Sequence, residues 1–76
     1  MRYPHTSAVE LAEIRASIVK RLTAGECTTR EIAEWVGMSR SRTLAHLRAL
    51  VAAGSVRLVR VERHPKGWAV YVWGRA

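Results

Sequence analysis

The sequence predicts an α+β fold, with three helices in short succession followed by a C-terminal two-stranded β-hairpin. Apolar residues recur at spacings of three and four as far as Gly54 and alternate with polar ones beyond it, and glycines at 25, 37 and 54 mark the breaks. The 76 residues read as one domain spanning 1–76. A chain of that length buries only about 60% of the surface its unfolded form exposes, so the expected core is small.

The first helix is expected over 7–24. Ser7 and Glu10 form a Ser-x-x-Glu capping box, Leu11, Ile14, Ile18 and Leu22 make one apolar stripe, and Gly25 ends it. The second, over 28–36, repeats the capping pattern at Thr28 and Glu31, presents Ile32, Ala33 and Val36 inward, and stops at Gly37. Ser39 is placed to cap a third helix over 40–53, with Thr43, Leu47, Leu50 and Val51 on one side and Ser41, Arg42, Ala45, Arg48 and Ala49 on the other. The hairpin is expected over 55–73. Val56 and Leu58, then Val59 and Val61, are apolar, and the slip of phase between Leu58 and Val59 predicts a bulge. His64-Pro65-Lys66-Gly67 is turn chemistry, and the strand from Trp68 to Trp73 returns.

Thirteen Lys and Arg against six Asp and Glu leave a net charge of +7, and the pI is near 11.1. A polyanion is the natural partner of such a surface. Eleven of the thirteen cations are Arg, whose planar fork matches phosphates and guanine edges better than an ammonium does. Cys27 is the only cysteine, which excludes an internal disulfide, fits a reducing compartment and reads as a small buried side chain. With no apolar leader over 1–6 and no membrane-length apolar run, a cytoplasmic protein is expected. His5, His46 and His64 lie far apart, with no Cys-x-x-Cys or His-x-x-x-His pair and no P-loop. Neither a cofactor, a metal nor catalysis is therefore expected.

The stretch from Thr29 to Leu47 carries the most specific signal. Ala33 and Gly37 stand four apart, a small residue where two helices cross and a glycine at the bend between them. Together with Met38-Ser39-Arg40-Ser41-Arg42, His46-Leu47-Arg48-Ala49-Leu50 and Ala53-Gly54, this segment resembles the winged helix-turn-helix repressors of the ArsR and MarR kinds. In length, in Thr29 to Glu34 and in the return strand Gly67 to Tyr71, the chain is similar to small pilus-operon regulators of the PapI and FaeA type. The resemblance covers roughly residues 10 to 74. It implies that the third helix enters the major groove of double-stranded DNA and that the hairpin is a wing. Leu44 and Ala45 stand where many such repressors present polar residues.

On that reading Arg42 is the candidate for a bidentate guanine contact, Ser41 serves a base or a phosphate, and Ala45 allows close approach or touches a thymine methyl. Arg40, His46 and Arg48 are assigned to backbone phosphates, with Thr28 and Thr29 where the second helix presents free N–H groups and its positive dipole end. Arg63, His64, Lys66 and Gly67 form a basic wing tip for the backbone or minor groove. Trp35, Trp68, Trp73 and Tyr71 are expected to fill the core rather than stack on bases, Trp68, Val70 and Val72 facing one way and Tyr71 and Trp73 the other, with a dimer contact as the alternative for the side turned outward. The expected activity is sequence-specific transcriptional regulation, by a homodimer or cooperative oligomer, with no evident small-molecule effector. An architectural or excisionase-like DNA-bending factor and a winged-helix protein-interaction module are the alternatives.

Overall fold

The computed structural model describes residues 8–76. The first helix, α1, runs Ala8–Thr23, and the capping box expected at Ser7 lies outside the described residues. Along α1 the apolar stripe turns inward: Ile18 and Leu22 are buried, Leu11 and Ile14 half-buried. Two backbone bonds spanning three residues, from the Ala24 N–H to the Arg21 carbonyl and from the Gly25 N–H to the Leu22 carbonyl, each 3.2 Å, tighten the chain at its end.

A two-residue strand, β1 (Cys27–Thr28), leads directly into α2 (Thr29–Val36). Thr28 caps that helix reciprocally: its Oγ1 accepts from the Glu31 N–H at 3.1 Å, and Glu31 Oε1 accepts from the Thr28 N–H at 2.8 Å. The turn after α2 requires Gly37, which sits at φ 71°, ψ 38°. A Cβ there would meet nothing within 4 Å, so backbone conformation rather than space selects glycine. Ser39 then caps α3 (Arg40–Ala52) by accepting from the Arg42 N–H at 3.3 Å.

Strands β2 (Val56–Arg63) and β3 (Ala69–Arg75) form the hairpin, in an antiparallel sheet of order β1-β3-β2. Leu58 pairs with Trp73 and Arg60 with Val72, leaving Val59 bulged where the apolar phase slips. The bulge also accounts for Gly74: a Cβ there would lie 2.8 Å from Val59 Cγ2. The third strand, β1, was not expected. Its pairing of Cys27 with Trp73 and Thr28 with Val72 is too short to carry any period.

Ile18, Leu22, Cys27, Ile32, Leu47, Leu50, Val56 and Trp73 make the core, where the three helices meet the base of the sheet. Trp73 is its large member. Burying about 200 Å² of an aromatic side chain at about 25 cal/mol/Å² contributes roughly 5 kcal/mol, several times the ~1 kcal/mol of the 2.8 Å bond its indole N–H donates to Thr29 Oγ1.

Four side chains expected inside lie outside. Trp35 is 54% exposed, Trp68 51%, Val51 42% and Tyr71 37%. Trp68 and Tyr71 sit on the hairpin away from the core cluster, Val51 in the last turn of α3, and Trp35 near the end of α2. Trp35 is tied to α1 by a 3.0 Å bond from its indole N–H to Ser17 Oγ. Among the described residues, no helix is long and apolar enough to cross a membrane.

Candidate nucleic-acid interface

Helix α3 buries Thr43, His46, Leu47 and Leu50 and exposes Arg40, Ser41, Arg42, Ala45 and Arg48. Ser41, Ala45 and Arg48 follow at spacings of four and three, so they share one face of the helix. Every charged residue of α3 is Arg. With no carboxylate on the helix and the positive end of its dipole at Arg40, no side chain of α3 offsets its positive charge. Thr43 anchors the inner side, its Oγ1 donating to the Ser39 carbonyl at 2.8 Å.

The wing tip is internally braced. The His64 N–H donates to the Trp68 carbonyl and the Gly67 N–H to the His64 carbonyl, both at 2.8 Å, and Gly67 takes φ 109°. The Lys66 N–H donates to His64 Nδ1 at 3.1 Å, and Arg63 Nη1 donates to the Gly67 carbonyl at 2.7 Å. The imidazole of His64 stacks on the indole of Trp68, with centroids 3.9 Å apart and planes 12° from parallel. Lower on the hairpin, Arg60 is engaged by Glu62 at 2.6 Å and Glu26 at 2.8 Å. These hydrogen bonds push its pKa further up, and two carboxylates offset its charge, while Arg63 and Lys66 are exposed at the tip and Arg57 and Arg75 at the base of the hairpin.

Two residues expected at phosphates are inside the protein. Thr29 is 3% exposed and its hydroxyl is held by Trp73; the first residue of α2 faces the sheet because β1 feeds straight into the helix. His46 is 6% exposed, and its Nδ1 accepts from Arg15 Nε at 3.3 Å. Its pKa is pushed down, first by burial and then by the charges of Arg15 and Arg42, so it is a neutral acceptor between helices. Thr28 is half-buried, with its hydroxyl committed to the cap.

Sequence reasoning missed a cleft of about 640 Å³ between α2, the turn before α3 and the wing. Arg30, Met38, Arg40, His64, Trp68 and Tyr71 are among its walls. Arg30, exposed and 3.4 Å from Glu34, carries no signal of its own in the sequence. Trp68 adjoins the turn rather than the paired part of β3, and that position was the signal that it would not reach the core. Among the described residues, no group of three or more His, Cys, Asp or Glu side chains is placed to hold a metal ion.

Comparison with known proteins places this geometry in context. The model of bacterial regulatory proteins of the arsR family matches residues 12–57, from α1 to the start of β2. Among solved structures, the Zalpha domain of Carassius auratus PKZ, determined in complex with Z-DNA, superposes with a TM-score of 0.66 at 21% identity, over 87% of this chain and 97% of that one. The PcaV transcriptional regulator of Streptomyces coelicolor, determined with its natural ligand, gives a TM-score of 0.61 at 19% identity, over 93% of this chain and 45% of that one. At those identities the likeness is one of fold, the winged helix. No curated protein matches the sequence.

Proposed function

Because the chain belongs to the arsR family of bacterial regulatory proteins, we propose that it is a sequence-specific transcriptional regulator that sets α3 in the major groove of duplex DNA and its wing on the backbone or minor groove. The family and the winged-helix fold are those of DNA-binding regulators, which act by binding. The observation that supports the finer reading most is the carboxylate-free face of α3, with Arg40, Ser41, Arg42, Ala45 and Arg48 exposed on one side and the core on the other. A major groove about 12 Å wide admits such a helix and shows each base pair a distinct donor and acceptor pattern. In this reading Arg42 and Ser41 address base edges and Ala45 permits close approach. Arg40 and Arg48 take phosphates, while Arg63 and Lys66 do so from the wing.

One such module covers little DNA, so two or more copies are expected on a full site. Selection of bound duplexes from a random pool, followed by titration of the selected site against a scrambled one over a salt series, tests the proposal. A preferred motif with salt-dependent affinity is expected, and its repeat will give the number of copies. Equal affinity for selected and scrambled duplexes would remove sequence reading, and affinity independent of salt would point to a protein partner. Since the Zalpha domain is seen with Z-DNA, a duplex held left-handed belongs in the same titration, with the right-handed form expected to bind tighter.

A further inference from the structure

The cleft between α2 and the wing is lined on one side by Arg40, which the proposed function sets on a phosphate, and on the other by His64, at the tip of the wing that it sets on the backbone or minor groove. It therefore borders the duplex interface rather than lying elsewhere on the surface. Its floor does not suit a phosphate chain, because Met38, Val70 and Tyr71 are apolar or aromatic. Its rim carries two exposed guanidinium groups, Arg30 and Arg40; Glu34 lies 3.4 Å from Arg30 on the same rim, so Arg40 is the main place for an anion. Trp68 is half-exposed, yet His64 stacks on it at 3.9 Å and the braced tip holds both. An aromatic plate fixed in place, beside apolar walls and under two guanidinium groups, matches the parts of a nucleotide: a flat base, a sugar and flanking phosphates. A volume of about 640 Å³ has room for one nucleotide. A paired base cannot reach such a cleft, whereas one outside the stack can.

We infer that this cleft takes a single unpaired nucleotide of DNA, stacked on Trp68 at the edge of the duplex site, so that the protein favours sites flanked by a locally opened or mismatched base pair. The inference rests on the proposed duplex binding and adds a second, shape-dependent element to it. Aromatic stacking is tolerant of base identity, so the preference is for an unpaired base of any kind.

The test uses duplexes carrying the selected site, each with one unpaired 2-aminopurine at a successive flanking position, compared with the fully paired duplex. One position is expected to bind about tenfold tighter than the paired duplex, the scale of one base–aromatic stack, with its 2-aminopurine emission quenched on binding. In Trp68→Leu the ratio of the two affinities falls to about one, and in Trp68→Phe, which keeps a ring, most of it returns. No position showing a gain, or a gain that survives Trp68→Leu, overturns the inference while leaving duplex recognition intact. Absence of salt-dependent binding to the fully paired duplex overturns the proposed function itself, and this inference with it.

Discussion

Arg42 and Arg48 both leave α3 into solvent, but the proposed geometry gives them different work. Arg42→Ala is expected to cost about 1–3 kcal/mol on the preferred duplex and to relax preference at one base pair. Arg48→Ala should weaken all duplexes alike and lower the salt slope by about one. Titration of preferred and scrambled duplexes separates the two, and an equal loss for Arg42→Ala on both removes its base-reading role. His46 makes a prediction of another kind. An unfolded histidine titrates near 6.5, while burial, Arg15 and Arg42 hold His46 lower in the folded chain. As pH falls through 6.5 the unfolded chain binds a proton that the folded chain refuses, so stability is full above that pH and declines below it. Thermal unfolding at neutral and mildly acidic pH should show this decline, and His46→Gln should lose that part of it. At this scale the sequence showed which residues carry charge but not which ones face out. Thr29 and His46 are polar and were read as surface, yet each has a distant partner, Trp73 and Arg15, 44 and 31 residues away in the chain.

At the level of elements, caps and breaks were legible because they are local. Thr28, Glu31, Gly37 and Ser39 each act on a partner within four residues along the chain, and their chemistry does not depend on what packs above them. Gly37→Ala should therefore destabilise by roughly 1–2 kcal/mol through backbone strain alone, since its left-handed conformation is costly for L residues and no side chain crowds it. Chemical denaturation measures it, with no change expected in the m-value. Gly74→Ala should cost about 1–3 kcal/mol for the opposite reason, an overpacked contact with Val59 Cγ2. Adding Val59→Ala should recover much of that loss; if the two costs simply add, the bulge does not explain this glycine. Strand β1 was invisible, because two residues owe their extended state wholly to β3. The tryptophans misled for a related reason: alternation assigns residues to the two faces of a strand but does not show how far the helices extend over either face.

For the whole molecule, charge and shape act together. If Arg40, Arg48, Arg63 and Lys66 each neutralise a phosphate, the logarithm of affinity should fall against the logarithm of salt with a slope of about −4 per bound chain. A slope near zero would contradict the proposed interface. The winged-helix architecture and the positive balance follow from the sequence by itself. Periodicity, capping and net charge are properties of neighbouring residues or of their sum, and survive in any arrangement of the chain. The tertiary structure alone decided that Thr29 and His46 are interior, that Trp68 and Tyr71 stand outside, and that a cleft opens between Arg40 and His64. Those facts depend on which distant segments meet around one small core, and a 76-residue chain has too little interior to shelter every large side chain it carries.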